Sequence, residues 1–421
     1  MISKNAIYWI WITLAIGYNT PKAKRLSELY PDISQFYLRG EREWRLCGIF
    51  HASDIANLKS KNLEDAQKVL NRCHQLNYSV ICIDDDQYPS CLYHIYAPPA
   101  LLYVSGHLPD IDNQLTIGIV GTRTASRYGT ENSYKIAYSL AKYNVPIISG
   151  GALGVDGASH RGALAANGVT VCVRGCGINC SYLRENADMR RAIESRGAVI
   201  SEYPPDEQPR RYYFPARNRI IAALSDGVVI IESGAKSGSL ITANLALEMG
   251  KEVFALLGNN SPQNEGSNKR IKEGSAIPIT DFMDILTSFE NLVVTSENYD
   301  PDDISLADIA AIPVKGKSGR TGIKPHKALN DHLFDMHRNR NDIDSVLKKS
   351  ESPNATKPTH KKVELHGDAA EIYRYLTAQP VHIDKIAGDL GIPVSNALSA
   401  LTYLELQNLV QSLQGRNFVL K

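Results

Sequence analysis

The chain has 421 residues, 43% of them hydrophobic, which suffices for cores in two or three domains. Its formal net charge of +1 excludes a globally basic polyanion binder, so any such affinity has to come from local clusters. No run of about 18 apolar residues is present and the opening stretch MISKNAIYWIWITLAIGYN lacks a small-residue cleavage site, so the reading is a buried helix, no membrane contact and a cytoplasmic location.

Residues 1–85 read as mostly helical. Ile7–Ile16 is one apolar segment, Pro21–Tyr30 a helix behind Thr20, and Leu63–Asn77 a third with Val69, Leu70, Cys73 and Leu76 on one face. A short β-like run follows at Tyr78–Ile83. Asp86–Gly106, with three prolines and many tyrosines, is an extended connector ending in a strand at Ala100–Val104. Leu115–Gly151 then reads as one βαβ unit of about 35 residues: an apolar run Ile117–Val120, a polar loop from Gly121, an amphipathic helix over Thr130–Tyr143, and a second run Val145–Ser149. The alternation continues with helix Val155–Asn167, strand Thr170–Val173, helix Arg184–Arg196, strand Ala198–Ser201, helix Pro215–Leu224, strand Gly227–Ile231, helix Ser239–Met249 and strand Glu252–Leu257. Six apolar strands separated by helices predict an α/β, doubly wound parallel sheet that binds ligands at the carboxyl ends of its strands.

From about Thr295 to Lys362 the periodicity is lost and Lys, Asn, Ser, Pro and Gly dominate, which reads as a flexible linker. Pattern returns at Leu365–Lys421: helices Ala370–Thr377, Ile383–Leu390 and Pro393–Leu406, then strands Leu409–Leu413 and Phe418–Leu420 around Gln414–Gly415–Arg416, a winged-helix pattern. The third helix holds Glu405 and no Lys or Arg, which favours a protein-contact or stabilising role over reading of a major groove. The seven cysteines contain no CxxC pair; Cys172, Cys176 and Cys180 sit four apart, without the pairing and fourth ligand of a zinc site, so they read as free thiols and no metal is assigned.

Four strand-following stretches carry the chemistry. Gly121–Thr122–Arg123, with Ser126 and Arg127 behind it, offers a close backbone approach and a guanidinium for a phosphate. Ser149–His160 offers N–H groups near Gly150, Gly151 and Gly154; Asp156 reads as a helix cap or a ligand-hydroxyl acceptor, and His160 as packed rather than catalytic. Pro209–Arg219 interleaves Arg210, Arg211, Arg217 and Arg219 with Tyr212, Tyr213 and Phe214, a mixture suited to single-stranded nucleic acid, with phosphates on guanidinium and bases on flat rings. The alternative is that the aromatics pack under the sheet edge while the arginines pair with Glu202, Asp206 and Glu207. Ser233–Ser239 adds Lys236, Ser237, Gly238 and Ser239 at a helix start, without the spacing of a Walker loop. There is no GxGxxG after Ile117–Val120, so no nicotinamide or other cofactor is assigned.

GIVGTR, SGGALGVDGASHRGAL, RGCG, SEYPP, FPARNRIIAALSDGVVIIE, SGSLITANLALE and KEVFALLG run in order over about 150 residues and resemble the DNA-processing protein A (DprA, or Smf) family. The resemblance implies an extended Rossmann domain over 86–290, with an N-terminal helical, SAM-like domain over 1–85, a linker over 291–362 and a winged-helix domain over 363–421. It also implies a cytoplasmic, non-enzymatic homodimer that binds single-stranded DNA without sequence preference and loads the recombinase RecA during natural transformation. The family's G-S/T-R element falls on Gly121, Thr122 and Arg123, its FP-x-RNR element on Phe214, Pro215, Arg217, Asn218 and Arg219, and its SGS element on Ser237, Gly238 and Ser239. Two positions depart: Leu153 stands where the family usually has Arg, and Arg174 where it has an apolar residue before GCG, an exchange of charge between loops that can be compensating. The rival readings are a Rossmann-type hydrolase cleaving nucleotide base–sugar bonds, with Asp156 and Glu232 as its acid or base, and a scaffold acting through the tail.

Overall fold

The computed structural model describes residues 2–289, 312–314, 368–377, 381–392, 397, 400, 401, 404, 409–413 and 417–420. Nine short strands, β1 (Ser79–Cys82), β2 (Leu101–Gly106), β3 (Ile117–Val120), β4 (Ile147–Ser149), β5 (Thr170–Val173), β6 (Ala198–Ser201), β7 (Gly227–Ile230), β8 (Glu252–Leu256) and β9 (Ile277–Ile279), form one sheet. Their spatial order is β1-β2-β6-β5-β4-β3-β7-β8-β9. Every residue of β3 to β7 is buried, which is why these strands read as unbroken apolar runs rather than alternating ones. β3 pairs in parallel with both β4 and β7, so the winding reverses beside it and leaves a crevice beyond the carboxyl ends of β3 and β7.

The sheet is mostly, not wholly, parallel. β2 runs antiparallel to β6, with Tyr103 opposite Ser201, and β1 antiparallel to β2. The connection between β1 and β2 holds only the four-residue helix Ser90–Tyr93, too little for the crossover that a parallel pair needs. β9 extends the other edge; its Pro278 weakens the strand signal in the sequence and is tolerated because the strand is outermost.

The helices that the alternation predicts are present with shifted ends. They are Arg127–Lys142, Val155–Ala165, Ala187–Arg196 behind a 3-10 turn at Arg184–Asn186, Tyr213–Ala223 and Ser239–Glu248. The first is opened by Ser126, whose side chain accepts from the Gly129 N–H at 3.1 Å.

The N-terminal segment has five helices, α1 (Ala6–Ile16), α2 (Lys22–Leu29), α3 (Ile33–Leu46), α4 (Ala52–Ser60) and α5 (Leu63–Leu76). α1 buries Trp9, Ile10, Trp11 and Ile12 in succession, so it is enclosed on all sides, and the Trp9 indole donates to Asp84 at 2.9 Å. α3 and α4 are not legible in the sequence; Gly40, at φ 70°, kinks α3 and resets the spacing of its buried Ile33, Phe36 and Trp44. These helices share one apolar core with the sheet, and Met1–Gly322 forms a single compact unit.

In the second unit, Ile323–Lys421, helices Asp368–Tyr375 and Ile383–Leu390 pack with a three-stranded sheet, β10 (Val381–His382), β11 (Val410–Leu413) and β12 (Asn417–Leu420), in the order β10-β12-β11. Ala397, Ala400, Leu401 and Leu404 are helical and join Ile372, Ile386 and Phe418 in its core. This is a winged-helix arrangement. The other residues of the third helix, the 414–416 turn and the linker, apart from 312–314, lie outside the described residues.

Candidate functional site

The crevice at the β3/β7 reversal is a cavity of about 270 Å³. Val120–Arg123 forms one wall, Ser237–Thr242 another, and Phe214, Arg217 and Asn218, from the helix before β7, a third. Nine of the residues singled out in the sequence therefore meet here: Gly121, Thr122, Arg123, Phe214, Arg217, Asn218, Ser237, Gly238 and Ser239. The loops approach closely enough to require glycine at two points. A Cβ on Gly121 would lie 2.5 Å from the Val155 side chain, and one on Gly154, at φ +76°, 2.5 Å from the Thr122 carbonyl oxygen.

Arg123 is half-buried with its guanidinium 5.3 Å from the centre of the Phe214 ring, and the Phe214 ring packs on Tyr182 at 5.4 Å. Arg123 makes no ion pair among the described residues, so a free cation lies on an aromatic face at the cavity wall. The serines form a chain: Ser237 Oγ lies 2.8 Å and Ser233 Oγ 3.0 Å from Ser239 Oγ, and Asn218 donates to the Gly238 carbonyl at 3.3 Å. The Thr122 N–H is taken by the Glu232 carbonyl at 2.8 Å, so this amide is not free for an anion.

Gly150 and Gly151 border an adjoining recess that shares Arg123, Phe214 and Arg217 with the cavity. Gly150 makes room for a side chain rather than presenting a nest of amides. The Arg217 guanidinium lies over its Cα, where a Cβ would sit 2.4 Å from Nη1, and Nη1 donates to the Gly150 carbonyl at 2.8 Å and to that of Val173. Arg217 is 4% exposed and its Nε has no hydrogen-bond partner among the described residues.

Five of the singled-out residues are not brought to the cavity. Arg219 is buried in a two-pronged pair with Glu202, at 2.8 and 2.7 Å, and also donates to the Ala97 carbonyl at 2.8 Å. Arg127 is exposed and pairs with Glu131 at 2.6 Å. Arg210 pairs with Glu207 at 3.2 Å, while Arg211 and Lys236 are exposed outside the cavity lining. Of the three aromatics in that stretch, Tyr213 is buried in a stack on Tyr203 at 3.9 Å, Tyr212 is exposed, and Phe214 alone faces the cavity.

Asp156, read above as a helix cap or a ligand-hydroxyl acceptor, lines the cavity, and Tyr182, which the sequence reading did not single out, lines the adjoining recess. Asp156 is buried at the start of its helix, and burial pushes its carboxyl pKa above the ordinary range against the opposing pull of Arg217 and Arg123. It accepts from the Ala152 N–H at 3.3 Å. Tyr182 lies in the loop after β5; the convergence of strand-following loops in a parallel sheet is the signal that points to it. His160 is fully buried, its Nδ1 is 2.7 Å from Thr170 Oγ1, and burial drops its pKa to about 3. Thr170 Oγ1 donates to the Ile147 carbonyl, so the His160 proton is on Nδ1 and the ring is a neutral packing element. Glu232 is buried and accepts from the Ser126 N–H at 2.8 Å and from the Ser126 hydroxyl, which occupies it at a helix start.

The family model described as DNA recombination-mediator protein A matches residues 79–290, and that described as DprA winged helix domain matches 356–416. Protein Smf of Synechocystis sp. is 29% identical over 431 residues, covering 99% of either chain. DNA processing protein DprA of Bacillus subtilis is 38% identical over 209 residues, 49% of this chain and 70% of the relative. The crystal structure of DNA processing protein A from Streptococcus pneumoniae superimposes with a TM-score of 0.59 at 31% identity, over 68% of this chain and 98% of the other.

Proposed function

The chain belongs to the DNA recombination-mediator protein A family, and from that premise we propose that it binds single-stranded DNA without sequence preference at the β3/β7 crevice. One observation carries this reading: the Arg123 guanidinium, without an ion pair among the described residues, rests on the Phe214 ring at the wall of the cavity beyond the carboxyl ends of β3 and β7. A cation beside a flat apolar face serves a phosphate and an unstacked base together and selects no base edge, which supports binding of any sequence. Arg123 is the phosphate contact, Phe214 the stacking face, and Asn218, Ser237, Gly238 and Ser239 the polar wall. Gly121, Thr122, Gly150, Gly151 and Arg217 shape it.

The protein acts as a DNA chaperone rather than an enzyme. Glu232 is occupied at a helix start and His160 is locked neutral, which leaves Asp156 without a partner base. The family resemblance supports the remaining assignments: loading of RecA, a homodimer, a cytoplasmic location and the division of labour among residues 1–85, 86–290, 291–362 and 363–421. None of the described helices is long and apolar enough to cross a membrane.

Fluorescence anisotropy with oligothymidylate and a duplex of equal length tests the reading. Preferential binding of the single strand, weakening as salt rises, is expected from release of counterions. Equal binding of both, or an affinity flat in salt, contradicts it. Incubation with nucleoside monophosphates tests the hydrolase rival, for which free base would accumulate.

A further inference from the structure

The recess beside the cavity holds an excess of buried positive charge. Arg174 is 5% exposed and Arg217 4% exposed; both line the recess, and the Nε of each is buried with no hydrogen-bond partner among the described residues. Arg123 is on the same wall, and Arg190, which donates to the Leu183 carbonyl at 2.9 Å, is near enough to interact with Arg174. None of these four forms an ion pair among the described residues. The thiols that line the recess, Cys172 and Cys176, have pKa values raised by burial and stay neutral, and the nearby Asp156 carboxyl lines the larger cavity rather than the recess, one acid facing both Arg217 and Arg123. Buried guanidiniums in excess of their counter-charge are costly, which calls for an anion from outside the chain.

Arg174 is held for such a role. Its Nη2 donates to the Cys180 carbonyl at 3.0 Å and approaches Cys176 Sγ at 3.1 Å and the Tyr182 carbonyl at 3.5 Å, so the guanidinium is fixed by the loop that also carries Tyr182. The recess, about 20 Å³, takes a group the size of one water rather than a whole phosphate. It shares Arg123, Ala152, Phe214 and Arg217 with the larger cavity, so a phosphate seated at that shared wall would send a single oxygen into it.

We propose that the recess is an anion subsite in which Arg174, with Arg217, takes one oxygen of a phosphate held at the mouth by Arg123. The proposal rests on the reading of the crevice as a DNA site and adds to it a contact that the family pattern does not supply, since Arg174 stands where the resemblance expects an apolar residue. Leu153, where the resemblance expects Arg, is buried and outside both linings.

The test uses the full chain. At constant ionic strength, with inorganic phosphate exchanged for chloride in the low millimolar range, the wild-type thermal midpoint rises and saturates, because a ligand that binds only the folded state stabilises it. Arg174→Gln, which keeps a donor for the loop carbonyls but loses the charge, removes that rise, and Arg174→Lys restores part of it. With oligothymidylate, the slope of log affinity against log salt becomes shallower by about 0.7 in Arg174→Gln, the value for one lost phosphate contact to a single strand. A 5′-phosphorylated oligomer that gains affinity over the 5′-hydroxyl form in wild type alone identifies a terminal phosphate; no difference, with the changed slope, identifies an internal one. A wild-type midpoint indifferent to phosphate, or an Arg174→Gln protein with the wild-type response and slope, overturns the subsite and leaves water as the occupant of the recess. Failure of the DNA reading looks different: neither protein binds the oligomer, while phosphate still raises the wild-type midpoint. Should Arg174→Gln not fold, Arg174→Lys against wild type decides: a smaller phosphate-induced rise of the midpoint is what the subsite predicts, and a rise equal to that of wild type in the folded variant contradicts it.

Discussion

Replacing Arg219 by Ala separates two roles that the sequence leaves open for it, phosphate ligand and structural ion. The Arg219 and Glu202 side chains are 7% and 3% exposed and meet through two bonds, with the Ala97 and Ala216 carbonyls as further acceptors. Truncation leaves the Glu202 carboxylate buried without its cation, a situation that costs about 3–5 kcal/mol. Against a typical stability of about 5–15 kcal/mol this is a large fraction. Replacing both partners by apolar residues, Arg219→Met with Glu202→Leu, removes the stranded charge and is expected to recover most of the loss, short of about 1 kcal/mol for the bond to Ala97. The assay is urea unfolding followed by tryptophan fluorescence; all three tryptophans, Trp9, Trp11 and Trp44, lie in the N-terminal helices, which share a core with the sheet. Oligothymidylate binding is measured on the same proteins under native conditions. An Arg219→Ala protein with wild-type stability and a shallower salt dependence of binding would refute the structural role and return Arg219 to the phosphate contacts.

Three further outcomes follow from the geometry. His160 is neutral when folded, with its pKa lowered to about 3, but titrates at about 6.5 when unfolded, so the unfolded chain alone binds a proton between those values and stability falls as pH drops; from pH 6.5 to 5 the loss is about 2 kcal/mol. His160→Asn, which can still donate to Thr170, flattens that part of the stability–pH curve, and an unchanged curve counts against burial as the cause. Gly150→Ala would put a methyl group 2.4 Å from Arg217 Nη1, so Arg217 is displaced, stability drops by about 1–3 kcal/mol and single-strand binding weakens; wild-type values for both would contradict the packing described. Phe214→Ala loses about 1–3 kcal/mol of binding if the ring stacks a base, whereas Tyr212→Ala, exposed and off the cavity, leaves affinity unchanged, and the reverse pattern in anisotropy titrations reassigns the stacking face.

The central sheet was legible because its strands are buried on both faces, so Ile117–Val120, Thr170–Val173 and Ala198–Ser201 show in the sequence as uninterrupted apolar runs with boundaries that match the structure. The antiparallel pairing of β1 and β2 was not, since apolar content carries no direction and only the short β1–β2 connection decides it. α3 escaped because Gly40 shifts its apolar face partway along. At the site, residues on strand-following loops came together as parallel topology requires. The Pro209–Arg219 stretch divided instead: Phe214, Arg217 and Asn218 turn toward the crevice, while Tyr213 and Arg219 turn into the protein. Local composition cannot separate those faces, because a helix presents cations to water and to buried carboxylates at the same spacing. Glu202, the partner that draws Arg219 inward, follows a different strand and becomes its neighbour only through the fold.

The most direct measurement of the central claim is the affinity of Arg123→Ala against wild type for oligothymidylate and for a duplex, across a salt series. Among the described residues Arg123 makes no ion pair, and its guanidinium meets Phe214 and Tyr182 at the cavity wall, so its truncation is expected to leave the fold intact. A weaker single-strand complex is expected, with a log–log salt slope shallower by about 0.7 and duplex binding little changed. Wild-type affinity and slope on the single strand would contradict the assignment of the β3/β7 crevice as the site that holds DNA.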